Sequence, residues 1–152
     1  MTQLFSKKEH IDDKYEVLFP IHQTTYGESY RVKNLEDGKL YMLKLYAKNK
    51  LKEFHYNEDN VLREAFLHSN LEHNNVVRYI EHKDISISGV DYVYYVVNFI
   101  SGETLKERVD REGPPSYLTC MNIMEKMGEA LTYLHKQQKP IVPTLLVDTL
   151  VA

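Results

Sequence analysis

The segment from Tyr92 to Ile100 constrains the fold of this chain more than any other. Its residues are almost entirely β-branched or aromatic. Such a run is typical of a strand that is buried on both faces. Apolar residues make up 43% of the 152-residue chain, which is enough for a substantial core. The stretch therefore predicts a sheet at the centre of a packed domain.

Alternation and helical spacing predict the remaining elements. In Lys39–Tyr46 the side chains of Leu40, Met42 and Lys44 fall on one side of a strand and those of Tyr41, Leu43 and Leu45 on the other. The predicted order is two strands within 14–32, a third at 39–46, a helix at 57–71, strands at 76–83 and 91–100, a short helix at 103–111 and a long helix after Ser116. Five antiparallel strands with one helix inserted after the third indicate an α+β fold.

Composition excludes several classes of function. The formal net charge of −3 gives no electrostatic case for binding nucleic acid or an anionic membrane. No stretch approaches the roughly 18 apolar residues of a membrane span. Cys120 is the single cysteine, and the histidines show no metal-ligand spacing. We therefore expect a cytoplasmic protein that binds neither nucleic acid nor membrane and has no metal site.

A series of short motifs follows the same order as these elements. Residues 41–44 read Tyr-Met-Leu-Lys, and Arg63-Glu64 lies in the first helix. Residues 71–79 contain Leu-Glu-His-Asn-Asn-Val-Val, residues 95–105 end in Ser-Gly-Glu-Thr-Leu, and residues 130–135 read Ala-Leu-Thr-Tyr-Leu-His. In this order the chain resembles protein kinases of the bacterial serine/threonine type, with their Val-Ala-Ile-Lys strand, helix glutamate, hinge and Ala-Leu-x-Tyr-Leu-His helix.

The resemblance implies a division of the chain. Residues 1–13 would be a polar lead-in, 14–100 an N-terminal kinase lobe, 101–142 the first helices of the C-terminal lobe, and 143–152 an apolar tail. It also implies an ATP-binding face, on which a strand lysine meets the α and β phosphates and a helix glutamate holds that lysine. The nucleotide-binding residues implied in this way are Lys44, Glu64, Gly27, Met42, Asn98 and Ile100.

The chain departs from the family where phosphate and metal would be held. His22 and Thr24 replace the first two glycines of the Gly-x-Gly-x-x-Gly loop, so only Gly27 is left. After Ile141-Val142 the chain reads Pro143-Thr144-Leu145 where the family has His-Arg-Asp, and no Asp-Phe-Gly follows. We therefore expect no catalytic residue, no ligands for Mg²⁺ and no kinase activity from this chain alone, although ATP binding stays open.

The implied site residues also have plainer structural interpretations. Lys44 and Glu64 can form an ion pair that needs no ligand, and Gly27 can be a hairpin glycine. His73 is expected to satisfy backbone groups after the first helix, and Cys120 to pack inertly.

The long helix, 117–136, carries an apolar stripe that includes Met124 and Met127, and the tail at 143–152 is apolar. Soluble monomers rarely expose such patches. We expect the tail to fold back or another subunit to cover the stripe, which predicts a homo-oligomer or a protein partner.

Two functional hypotheses follow from these features. The first is a truncated, pseudokinase-like module that acts by binding a partner or, weakly, ATP. The second is the N-terminal fragment of a serine/threonine protein kinase whose catalytic lobe is missing from this chain. An unrelated α+β protein is the third interpretation, and a contact between Lys44 and Glu64 would exclude it.

Overall fold

The computed structural model of the chain describes residues 3–137, which form two compact units. The first unit contains the residues up to Asn70 together with Tyr79–Phe99, and the second contains Leu71–Arg78 and the residues from Ile100 onward. The strands are β1 (His10–Ile11), β2 (Tyr15–Gln23), β3 (Gly27–Asn34), β4 (Leu40–Ala47), β5 (Tyr79–Ile87) and β6 (Val90–Asn98), and the helices are α1 (Arg63–Ser69), α2 (Leu105–Glu112) and α3 (Tyr117–His135).

The strands form one antiparallel sheet in the order β1-β2-β3-β4-β6-β5, so the predicted α+β class is confirmed. The sheet has six strands rather than the predicted five. The additional strand, His10–Ile11, lies in the segment predicted to be a polar lead-in and pairs with Tyr15 and Glu16. It escapes prediction because two residues are too short to show an alternating pattern.

One face of the sheet carries the apolar core of the first unit. Tyr41, Leu43 and Leu45 point into this core from β4, which confirms the predicted alternation. The ring of Tyr15 lies edge-on to the rings of Tyr41 and Tyr94, with centroid distances of 6.4 and 6.0 Å. The other buried members are Ile11, Val17, Tyr30, Val32 and Val96.

The first helix is shorter than predicted. A helix over 57–71 was expected, but α1 contains only Arg63–Ser69. The side chain of Asn57 accepts hydrogen bonds from the amides of Asp59 (3.1 Å) and Val61 (2.8 Å), and this local turn replaces the first helical turns. Phe66 on this helix is 43% exposed, whereas His68 is fully buried.

A polar network joins β5 to the segment that precedes β2. The carboxylate of Glu81 accepts hydrogen bonds from Lys14 Nζ (2.8 Å) and the Tyr15 hydroxyl (2.9 Å), and the Tyr94 hydroxyl lies 3.2 Å away. Burial alone would raise the pKa of Glu81, but the hydrogen bonds from Lys14 and Tyr15 outweigh burial, so the pKa lies below its ordinary value.

In the second unit, side chains cap both helices. Thr104 and Glu107 form a capping box at the start of α2. The Ser116 side chain accepts a 3.2 Å hydrogen bond from the amide of Thr119, as predicted for the start of α3. No helix within residues 3–137 is long and apolar enough to cross a membrane.

Side-chain environments in the second unit agree in part with prediction. His73 Nδ1 accepts a hydrogen bond from the Asn75 amide (3.0 Å) and its ring stacks on Tyr133, which confirms a structural role. Cys120 is half-buried, with its Sγ 3.8 Å from the Pro115 carbonyl oxygen. On the predicted apolar stripe of α3, Met124 and Met127 are exposed, whereas Leu134 is fully buried. Three further apolar side chains of the same helix are exposed, those of Tyr117, Leu118 and Met121.

Candidate functional site

The structure places Lys44 and Glu64 in direct contact. Lys44 lies at the middle of β4, on the face opposite to the apolar core, and Glu64 lies in the first turn of α1. Lys44 Nζ is 2.9 Å from Glu64 Oε1, and Lys44 is only 8% exposed. This contact excludes the unrelated-protein interpretation.

Tyr46 holds the other oxygen of the same carboxylate. Its hydroxyl donates a 3.1 Å hydrogen bond to Glu64 Oε2. Tyr46 is two residues beyond Lys44, so both side chains project from one face of β4. The carboxylate of Glu64 is therefore fixed at both oxygens, which offsets the cost of removing it from water.

Aromatic and imidazole groups line the side of the ion pair formed by β6 and α1. Lys44 Nζ lies 5.6 Å from the centroid of the Tyr95 ring, a distance typical of a cation–π contact. The Tyr95 hydroxyl is hydrogen-bonded to Nδ1 of the fully buried His68, and the ring of Tyr79 stacks on that of Tyr95. These contacts tie α1 to the sheet independently of the ion pair.

Met42 and Asn98, two of the three residues implied for base recognition, lie on paired strands of the sheet. Met42 pairs with Val97, and Asn98, the last residue of β6, pairs with Tyr41. Met42 is half-buried on the same face of β4 as Lys44. Ile100 belongs to the second unit and is 52% exposed.

Gly27 has a structural reason to be glycine. It pairs with Tyr46 at the start of β3, and a Cβ added there would lie 2.2 Å from the Leu45 carbonyl oxygen and 2.8 Å from Tyr46 Cδ1. Real Cβ atoms do not approach backbone so closely, so no larger residue fits without moving the strand. The hairpin interpretation therefore accounts for Gly27 without any ligand.

The hairpin between β2 and β3 is closed by Thr24. Its Oγ1 accepts hydrogen bonds from the amides of Gly27 (3.1 Å) and Tyr26 (3.3 Å). The same hydroxyl lies 3.1 Å from the Gly27 carbonyl oxygen, to which it donates. Two successive backbone amides thus point at one side-chain oxygen.

Arg31 is clamped between two aromatic rings on the face of β3 that carries Ser29. Its guanidinium carbon lies 4.4 Å from the ring centroid of Phe99 and 5.2 Å from that of Phe19. Within the described part of the chain, Arg31 Nε is buried and has no hydrogen-bond partner. These contacts hold Phe99, the residue after β6, against β2 and β3.

The residues that sequence reasoning missed are Tyr46, Tyr95, His68 and Arg31. The position of Tyr46 could have been predicted, because a residue two positions from Lys44 on a strand lies on the same face of the sheet. The Tyr95–His68 contact could not have been predicted from a local pattern, since it joins residues 27 positions apart in two different elements. Between residues 3 and 137, no group of three or more His, Cys, Asp or Glu side chains is arranged to hold a metal ion.

The chain is similar in sequence and in fold to known protein kinases. The chain is 33% identical over 95 residues to the serine/threonine-protein kinase PrkC of Bacillus subtilis, a match covering 59% of this chain and 14% of that protein. It is 28% identical over 135 residues to an Aurora kinase of Yarrowia lipolytica, covering 89% of this chain and 35% of that protein. Among solved structures, Rad53 in complex with AMP-PNP superposes with a TM-score of 0.67 at 22% identity, covering 84% of this chain and 34% of that one.

These relatives are much longer than the chain, which spans about a third or less of each. The protein kinase domain family matches residues 15–142, which include both members of the Lys44–Glu64 pair and most of the sequence. The chain belongs to the protein kinase domain family.

Proposed function

We propose that this chain is a truncated, pseudokinase-like binding module that holds ATP weakly and transfers no phosphoryl group by itself. The observation that carries the proposal is the contact between Lys44 and Glu64, which fixes a cation on a rigid strand at 2.9 Å from its carboxylate partner. In protein kinases this pairing positions the lysine for the nucleotide phosphates. The family resemblance also implies base contacts from Met42 and from the backbone of Asn98 and Ile100.

Residues that would complete phosphoryl transfer are absent from the sequence. Pro143-Thr144-Leu145 stands where the family carries His-Arg-Asp with its catalytic aspartate. Residues 143–152 lie outside the described residues. Without this aspartate as base, phosphoryl transfer would lose the general-base contribution, which is typically about 10²–10⁴-fold in rate. Binding without transfer is therefore the function that suits the chain best.

Calorimetric titration of ATP, with and without Mg²⁺, tests the binding half of this proposal. We expect saturable binding to the unmodified chain and loss of at least about tenfold in affinity in Lys44→Ala, because a charge-assisted contact to phosphate is removed. Lys33→Ala removes an exposed lysine of the neighbouring strand β3 and serves as the matched control. Equal binding to all three proteins, or no binding to any, would reject Lys44 as a site residue.

A second copy of the chain is the partner we propose, docked through helix 117–136 and tail 143–152. Five large apolar side chains of α3 are exposed by 40–80% of their surface, at Tyr117, Leu118, Met121, Met124 and Met127. Exposed apolar patches of this kind mark interaction surfaces. We expect a dimer in sedimentation that Leu118→Glu dissociates, whereas Thr132→Glu on an exposed position of the same helix leaves it intact. A monomer at high concentration would contradict this.

The alternative function is that of an N-terminal piece of a serine/threonine protein kinase. It is favoured by length, because the chain spans 14% of PrkC and 35% of the Aurora kinase. Reading the downstream gene sequence in all frames tests it, since a His-Arg-Asp followed by an Asp-Phe-Gly would identify the missing lobe. In either case we propose a cytoplasmic location, which is compatible with the lone cysteine, Cys120, and which cell fractionation would test.

A further inference from the structure

The hairpin between β2 and β3 supplies its own acceptor at the place where phosphate would be expected. We propose that Thr24 is a specificity-determining residue, whose hydroxyl occupies the position of a phosphate oxygen and weakens the preference of this face for a nucleoside triphosphate over a nucleoside. The inference rests on the nucleotide binding proposed above, and it assigns the ligand class of that same site. Phosphates would then contribute through Lys44 alone.

Successive backbone amides that converge on one point bind anions. In this hairpin the amides of Tyr26 and Gly27 converge on Thr24 Oγ1, at 3.3 and 3.1 Å. An amide has one proton, so a phosphate oxygen must displace the hydroxyl or share a weakened bond with it. Because the hydroxyl also donates to the Gly27 carbonyl oxygen at 3.1 Å, displacing it breaks a third hydrogen bond.

Contacts with the rest of the first unit hold the hairpin in this closed form. The Thr24 amide donates to the Gly27 carbonyl oxygen (2.8 Å), and the Ala47 amide donates to the Tyr26 carbonyl oxygen (3.3 Å). The ring of Tyr26 lies 5.2 Å from that of His55, between centroids. Gly27 is packed against the Leu45 carbonyl oxygen so closely that the strand leaves no space beside it. The hairpin is thus fastened to β4 on one side and to the segment after β4 on the other.

Three variants isolate the hydroxyl from the backbone. Thr24→Gly removes the acceptor and restores the family residue, and Thr24→Ser keeps the hydroxyl. Thr25→Gly adds the same backbone freedom one position away and is the matched control. Circular dichroism and thermal unfolding of each full-length variant establish that it is folded.

The decisive comparison is the affinity of each protein for ATP and for adenosine, measured by calorimetry. In the unmodified chain, Thr24→Ser and Thr25→Gly, we expect ATP to bind more tightly than adenosine by no more than the factor that is lost in Lys44→Ala, because the hairpin amides are already bonded. In Thr24→Gly we expect ATP to bind about tenfold more tightly and adenosine to bind as before, as two amides become free for charge-assisted bonds. An equal effect on both ligands, or none on either, would overturn the role of Thr24.

Nuclear magnetic resonance separates failure of this inference from failure of the proposed function. If neither adenosine nor ATP binds any variant, the nucleotide proposal is rejected, and tripolyphosphate then serves as the probe. The amide resonances of Tyr26 and Gly27 should shift on its addition to Thr24→Gly and stay in place in the unmodified chain. The same response in both proteins, including no response in either, would refute the assignment of Thr24.

Discussion

At the scale of single residues, the carboxylate of Glu64 is held from two directions by one strand. Lys44 contributes a charge at 2.9 Å and Tyr46 a neutral hydrogen bond at 3.1 Å. A carboxylate with both oxygens bonded keeps its rotamer without a ligand, because rotation would break two bonds at once. The Lys44–Glu64 contact is therefore held in place by the chain's own residues.

Removing the tyrosine hydroxyl measures the second of these bonds. We expect Tyr46→Phe to lower the free energy of unfolding by about 1–2 kcal/mol, because a partly buried carboxylate oxygen loses its donor. Urea unfolding gives the value. Tyr92→Phe is the control, because Tyr92 is half-buried in the same sheet and the described residues offer its hydroxyl no hydrogen bond. Equal losses in the two variants would show that the Tyr46–Glu64 bond contributes nothing specific.

Alanine substitutions at Gly27 and at Gly128 are expected to have opposite effects on stability. Gly27→Ala would place a Cβ 2.2 Å from a backbone oxygen, so we expect a loss of about 1–3 kcal/mol or more. Gly128 lies within α3 and has nothing within 4 Å of an added Cβ, so Gly128→Ala should stabilise by up to about 1 kcal/mol through helix propensity. Thermal unfolding compares them, and a shift of the same sign in both would contradict this account of Gly27.

Sequence reasoning reached some site residues and missed others for a physical reason. Lys44 and Glu64 were predicted because motif spacing fixes them along the chain. Thr24 was recognised only as a missing glycine, since the bonds of its hydroxyl depend on how the hairpin closes. The aromatic contacts of Arg31 depend on the register of β2 with β3 and on where the chain runs after β6, which no local pattern encodes.

At the scale of elements, β1 shows how a very short strand can complete a core. Ile11 is fully buried against residues of the sheet although its neighbours are polar. The chain reverses at Asp12 and Asp13, which adopt φ values of 54° and 49°, a conformation that Asp tolerates better than most residues. Two residues therefore close the edge of the sheet beside β2.

Truncating the apolar side chain of β1 tests whether this strand belongs to the cooperative core. We expect Ile11→Ala to lower the free energy of unfolding by about 2–4 kcal/mol, as for other buried large-to-small changes. Leu35→Ala, at a turn position that is 45% exposed, should change it by less than about 0.5 kcal/mol. Chemical denaturation measures both. A small effect of Ile11→Ala would mean that β1 frays independently of the sheet.

The short α1 marks the limit of reading helices from periodicity. A helix was predicted over 57–71, yet Asn57 uses its side chain to bond the amides of two later residues. Asn60 takes a φ of 60°, which a helix does not allow. Side-chain bonds to the backbone compete with helix formation, and apolar spacing does not report which of the two wins.

At the scale of the whole molecule, the polar network around Glu81 predicts sensitivity to acid. The pKa of Glu81 in the folded chain lies below its ordinary value of 4.5, so its contribution to stability is present above that value and is lost as the pH falls below it. We expect Glu81→Gln to be less stable at neutral pH and to lose less stability on acidification. Urea unfolding from pH 7 to pH 3 measures the slopes, with the exposed Glu125→Gln as control. Identical dependence of stability on pH in the unmodified chain and in Glu81→Gln would contradict a lowered pKa of Glu81.

The chain combines an ion pair that is typical of protein kinases with a sequence that has no His-Arg-Asp after Ile141-Val142, and the function proposed for it is binding of ATP without phosphoryl transfer. Phosphoryl transfer from γ-labelled ATP with Mg²⁺ tests this most directly, with a generic protein substrate and with the chain itself as acceptors. We predict that the unmodified chain incorporates no more label than Lys44→Met. Mg²⁺-dependent labelling by the unmodified chain that Lys44→Met abolishes would contradict the account and establish this protein as an active kinase.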